Sequence, residues 1–110
     1  MYQLDFASPV EPWRGAYHGF DIGLAFDNIA KLGDRPLGPQ PQRVADMMSE
    51  TFIAFARTGD PNNPAIPRWD RYTLPERATM ILDANSRAEN DPRAEERRLF
   101  QTAPFLKQGT

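Results

Sequence analysis

The sequence predicts a mixed α/β fold, and three observations carry that reading. Large apolar residues alternate with polar ones through Tyr2-Gln3-Leu4-Asp5-Phe6, apolar residues recur at helical spacing through Val44, Met48, Phe52 and Phe55, and a short apolar run returns at Thr79-Met80-Ile81-Leu82-Asp83. A period of two marks a half-buried strand, and steps of three and four mark a helix with one apolar face. Strand, loop, helix, strand and helix then follow one another within 110 residues. That length gives one domain, 1–110, with a limited core.

The first strand places Tyr2, Leu4 and Phe6 on one face and stops at Ser8-Pro9, followed by Glu11-Pro12. From Trp13 to Phe26, glycines at 15, 19 and 23 interleave with Tyr17, Phe20, Ile22, Leu24 and Phe26. We read this stretch as an ordered loop leading into a short apolar segment. Lys31 to Gln42 holds Gly33, Pro36, Gly38, Pro39 and Pro41, the composition of a connection within a domain.

A helix is expected to begin near Pro41, since proline suits a first helical turn. Thr58-Gly59 stops it and Asp60-Pro61-Asn62-Asn63-Pro64 forms the turn. Its last part, Phe52-Ile53-Ala54-Phe55-Ala56, is apolar all round, and such a segment is normally covered on several sides. So small a chain has few elements to cover it. A Pro-rich linker with Trp69 and Tyr72 leads to the second strand, Thr79 to Asp83. Asp91-Pro92 then reads as an N-cap and first-turn proline opening a polar helix to about Phe100. Two short strands alone would make a marginal sheet.

Composition excludes several functions. With 13 basic against 15 acidic residues and a formal net charge of -2, the chain lacks the electrostatic footprint of a nucleic-acid binder. Its arginines are interleaved with acids, as in Glu95-Glu96-Arg97-Arg98, which reads as a solvated helix face. The absence of cysteine removes disulfides, thiolate metal sites and a Cys nucleophile. A single His excludes an all-His zinc site or a two-His facial triad, so no metal and no cofactor is expected. No apolar run approaches a membrane span, and the residues from Met1 to Asp5 have neither the basic nor the apolar part of a leader. The expectation is a soluble protein, cytoplasmic or secreted.

His18 is the only side chain whose ordinary pKa lies near neutrality, so acid–base chemistry at pH 7 looks to it first. Taken alone, a lone histidine serves packing as readily as catalysis. Its surroundings, Gly15-Ala16-Tyr17-His18-Gly19-Phe20-Asp21-Ile22, resemble the catalytic-histidine segment of the type B carboxylesterases, the carboxylesterase and cholinesterase-like branch of the α/β-hydrolases. Phe55-Ala56-Arg57-Thr58-Gly59-Asp60-Pro61-Asn62 is similar to the helix end and turn that follow in that family. Ile66-Pro67-Arg68-Trp69-Asp70-Arg71-Tyr72 is similar to its Trp and Tyr segment. Tyr2 to Phe6 and Thr79 to Asp83 resemble the strands before and after. The resemblance spans roughly residues 1 to 100 in order. The chain departs from the pattern at Gly23-Leu24-Ala25, where the family tends to have Pro-Phe-Val, and at Asp70, where Pro is usual.

The resemblance implies a partial α/β-hydrolase fold, the C-terminal segment of a serine carboxylesterase, with His18 as the triad histidine and a carboxylic ester as substrate. In that fold the triad runs in the order Ser, Asp or Glu, His, with the Ser on a Gly-x-Ser-x-Gly elbow. Seventeen residues before His18 cannot hold those parts, and Ser8, Ser49 and Ser86 lack the flanking glycines. Asp21 is expected to bond loop amides, the family's acid lying far upstream. Trp13 and Tyr17 either line an acyl or alcohol pocket or pack the loop. Met47 and Met48 are expected as core filler. The implied partners are the missing N-terminal portion or a second copy. The alternatives are a non-catalytic cholinesterase-like interaction module and an independently folded domain.

Overall fold

Five consecutive residues with no charge among them, Ala78–Leu82, make the central strand of the sheet, and every one of them is buried. The computed structural model of the chain describes residues 1–31 and 39–103. Its sheet has three strands: β1 (Tyr2–Leu4), β2 (Ala78–Leu82) and β3 (Arg87–Asn90), in the order β1-β2-β3. β1 runs parallel to β2 with Tyr2 opposite Met80 and Leu4 opposite Leu82. β2 and β3 are antiparallel, with Ala78 opposite Asn90 and Ile81 opposite Arg87.

A parallel pair needs a crossover of a dozen or more residues. Here the connection carries a 3-10 turn at Pro12–Arg14, the short helix α1 (Phe20–Ala25), a second 3-10 turn at Ile29–Lys31 and the long helix α2 (Pro39–Thr58). α1 packs on α2, and both contribute to one core with the sheet: Phe6, Phe20, Leu24, Ile29, Val44, Met48, Met80 and Leu82 meet there. The expected use of Met47 and Met48 as core filler holds, since both are buried.

α2 begins two residues before the expected Pro41. Most of the Pro- and Gly-rich connection before it lies outside the described residues. Gly59 terminates the helix in the left-handed conformation at φ 76°, its N–H donating to Phe55 O over 2.8 Å. Val44 and Met48 are buried as their spacing predicts, but Phe52, Ile53 and Phe55 are 39%, 46% and 58% exposed. The apolar end of α2 thus outruns the core available to cover it. No helix among the described residues is long and apolar enough to cross a membrane.

The C-terminal third corrects two expectations. β3 was not anticipated, because Arg87-Ala88-Glu89-Asn90 has no apolar alternation; it is a polar edge strand, closed onto β2 by a turn in which the Ser86 hydroxyl donates to Asp83 O and accepts from Asp83 N–H. Asp91 is not the N-cap of the last helix. That helix, α3 (Ala94–Thr102), follows Arg93, which makes no side-chain cap bond. Asp91 instead takes φ 49°, and its carboxylate receives Arg97 Nη2 at 2.6 Å and Nε at 3.0 Å. The carboxylate oxygens brace the helix from one turn further out. α3 buries none of its residues.

Two outcomes follow for stability. Met48→Ala should cost about 2–5 kcal/mol in urea unfolding, as buried Met truncations do, whereas Phe55→Ala, on the uncovered end of the same helix, should stay within about 0.5 kcal/mol. The Arg97 hydrogen bond holds the Asp91 carboxyl below its ordinary value of 3.8. Its stabilising contribution is therefore complete above the unfolded value and fades as pH falls through the lower folded one. The Tm difference between the natural chain and Asp91→Asn should shrink between about pH 5 and about pH 2.

Candidate active site

His18 lies on the loop that leaves the carboxyl end of β1, the end of an open α/β sheet where ligands gather. The loop is built from short-range hydrogen bonds. Ser8 N–H donates to Gly15 O at 3.3 Å and Glu11 N–H to Ser8 Oγ at 3.2 Å, while Arg14 and Gly15 N–H close the 3-10 turn onto Glu11 O and Pro12 O. Pro12 fixes the backbone for that turn and Gly15, at φ 57°, ends it. The expected ordered loop and short apolar segment are thus a 3-10 turn and a six-residue helix separated by Gly15-Ala16-Tyr17-His18-Gly19.

Gly19, at φ 81° the second glycine of positive φ, is left-handed and stands at the N-cap of α1. His18 sits between the two, in a turn closed by Phe20 N–H donating to Tyr17 O at 3.1 Å. Below the loop the rings of Phe6 and Phe20 stack at 6.3 Å, with Tyr17 tilted on Phe20 at 5.0 Å. The Arg14 guanidinium lies 4.2 Å over the Tyr17 ring. These aromatic contacts bury the underside and leave His18 exposed. Of the two residues left between pocket and packing, Tyr17 packs the loop, whereas Trp13 is 78% exposed.

Asp21 does not bond loop amides as expected. Its Oδ2 accepts the Tyr2 hydroxyl over 3.3 Å, tying α1 back to β1. None of the serines is presented as a nucleophile: Ser8 is buried under its own loop, Ser49 sits within α2, and Ser86 closes the β2–β3 turn. Among the described residues no cluster of three His, Asp or Glu side chains could hold a metal ion.

Sequence reading missed the role of the Asn62-Asn63 pair. Asn62 Oδ1 accepts Trp69 N–H at 2.7 Å while its Nδ2 donates to Trp69 O at 2.9 Å, and Asn63 Nδ2 donates to Thr51 Oγ1 at 3.0 Å. The two amides pin the linker to α2. The signal was present: consecutive Asn residues after Asp-Pro supply side-chain donors and acceptors where a loop backbone has no ladder. A cavity of about 700 Å³ opens beside them, lined by Tyr2, Phe52, Phe55, Trp69 and Tyr72 among others. His18 does not line it.

Compared with known proteins, residues 1–100 match the model of the carboxylesterase family. The chain is 28% identical to para-nitrobenzyl esterase of Bacillus subtilis over 88% of its own length and 20% of that protein. It superimposes on a carboxylesterase of Geobacillus stearothermophilus with a TM-score of 0.75 at 32% identity, covering 89% of this chain and 21% of that one. An esterase from the anaerobe Clostridium hathewayi, described as able to hydrolyse aliphatic aromatic polyesters, gives a TM-score of 0.81 at 26% identity over 94% of this chain and 21% of that one. The chain spans about a fifth of the length of each of these proteins.

Conformation, not space, should dominate the effect of altering Gly19. A Cβ there would meet only Ile22 Cδ1, at 3.9 Å, yet the residue would be held at positive φ. Gly19→Ala should therefore lower unfolding stability by about 1–2 kcal/mol, and Gly19→Asn by less, because asparagine tolerates the left-handed region. Urea denaturation of the three proteins measures both differences.

Proposed function

This chain belongs to the carboxylesterase family, and on that premise we propose that it supplies the histidine of a Ser, acid, His triad that hydrolyses carboxylic esters through an acyl-enzyme. The observation that carries the reading is the setting of His18: the sole histidine, exposed, beyond the carboxyl end of a parallel strand and between two glycines of positive φ. A packing histidine needs none of these features. A histidine that meets a substrate and a serine from another segment needs exposure, and a fixed backbone beneath it.

The chemistry asked of His18 is proton transfer in both directions. Its unprotonated ring nitrogen takes the proton of the serine hydroxyl as the serine oxygen forms a bond to the ester carbonyl carbon. When the tetrahedral intermediate collapses, the carbon–oxygen bond to the alcohol breaks and the imidazolium gives that proton to the departing alkoxide. Water then repeats the sequence on the acyl-enzyme, releasing the acid. The nucleophile, the triad acid and the oxyanion donors belong to a further portion of the fold, for which none of Ser8, Ser49 and Ser86 substitutes. That same portion would cover Phe52, Ile53 and Phe55.

A chimera tests this reading, made by exchanging the matching segment of the Bacillus subtilis esterase for this chain. The chimera should hydrolyse a p-nitrophenyl ester, and His18→Ala within it should lose about 10²- to 10⁴-fold in kcat with its circular dichroism unchanged. The 110-residue chain alone should do no better than free imidazole, since triad and oxyanion hole act as a unit. A His18→Ala chimera as fast as its parent would refute the assignment.

A further inference from the structure

The hydrogen bond from the Tyr2 hydroxyl to Asp21 Oδ2 joins residues nineteen apart in the chain, and the whole His18 loop lies between them. Tyr2 is the first residue of β1 and stands in register with Met80. Its ring also meets Phe52 of α2 edge to face, with centroids 5.7 Å apart and planes at 78°. Asp21 lies in the first turn of α1, two residues beyond Gly19. The bond therefore runs from the sheet and the long helix to the turn that immediately follows His18.

We propose that Tyr2 and Asp21 are a positioning pair that fixes His18 for proton transfer; the proposal rests on His18 being the general base. The two sides of His18 differ in how they are held. On the Gly15 side, Ser8 N–H bonds to Gly15 O, and Arg14 covers the Tyr17 ring. On the Gly19 side, Phe20 N–H bonds back to Tyr17 O at 3.1 Å, and the six-residue α1 is held by apolar contacts, Phe20 and Leu24 being buried against Phe6 and α2. Glycine at φ 81° is a pivot, and a pivot transmits position only if the element beyond it is restrained. Among the described residues the Tyr2–Asp21 bond is the one side-chain hydrogen bond that ties α1 to the sheet, and it adds direction to the apolar packing.

The phenol is suited to the task. Burial first, and the neighbouring Asp21 carboxylate second, push the Tyr2 hydroxyl above its ordinary value, so it remains a donor at every pH where an ester hydrolase works. A general negative charge at the start of α1 would favour the helix end without naming a direction. The hydroxyl, reaching from a strand whose register is set by β2, names one.

The test uses the active chimera and the 110-residue chain in parallel. In the chimera, Tyr2→Phe and Asp21→Ala should each lower kcat about 10- to 100-fold, the cost of a displacement of about 1 Å, with KM nearly unchanged. Asp21→Asn keeps an acceptor oxygen and should recover most of that loss. Combining Tyr2→Phe with Asp21→Ala should be no worse than either alone, as for two halves of one interaction. In the chain itself, the imidazole Cε1–H gives a single NMR signal because His18 has no companion. That signal should shift or broaden in Tyr2→Phe while the β1–β2 amide signals stay in place. An unchanged kcat, full additivity of the two losses, no recovery by Asp21→Asn or an unmoved imidazole signal would each overturn the pairing. Failure of the general-base reading shows separately, as a His18→Ala chimera that remains active.

Discussion

Tyr2–Leu4 and Met80–Leu82 lie side by side and point the same way, and two strands so arranged cannot be joined by a turn. Between Leu4 and Ala78 the chain must come back to the starting end of the sheet before β2 can be laid down. α2 is the return leg, and its buried face of Val44, Ala45, Met47, Met48 and Thr51 is the surface against which the strands and α1 are assembled. The His18 loop exists because the chain must climb from the carboxyl end of β1 to reach that helix. Its residues satisfy several of their amides locally, through Ser8, the Pro12 turn and Gly15, because no strand among the described residues passes beside them to do so.

The parts of this fold that were legible are those where one physical signal dominates. Tyr2, Leu4 and Phe6 alternate with polar residues, Val44 and Met48 recur at a helical step, and Met80-Ile81-Leu82 is an unbroken apolar triplet; each pattern is an image of burial. The family resemblance, carried by several linked segments, was likewise readable, and the family match over residues 1–100 bears it out. β3 was illegible because an edge strand beside solvent is chosen for charge, not for apolar periodicity. α1 was obscured by Gly19 and Gly23, which mask helical propensity although the first stands outside the helix and the second is buried within it.

Asp91 and Asp21 show a further limit. Both carry local sequence signals, Asp91 before a proline and Asp21 two residues from a glycine on either side, and in both the side chain is claimed by a more distant partner. Arg97 lies six residues beyond Asp91, and Tyr2 nineteen residues before Asp21. A carboxylate offers several acceptor positions, and a guanidinium or a phenol brought near by the fold can outbid a backbone amide close by. Propensity rules describe the competition before the fold has brought those rivals into range.

The two margins of the sheet are unlike. β3 faces outward with Arg87 and Glu89 ion-paired and with Asp91 already engaged at its end, so a further strand would have to strip charge from water to join it. β1 has its second side unpaired among the described residues, and half-buried Tyr2 and Leu4 flank it. The sheet therefore has a polarity of growth, like a crystal with one poisoned face. Backbone hydrogen-bonding capacity is left open on the β1 side and guarded by charge on the β3 side, so the two edges of one small sheet differ in what they offer a neighbouring strand.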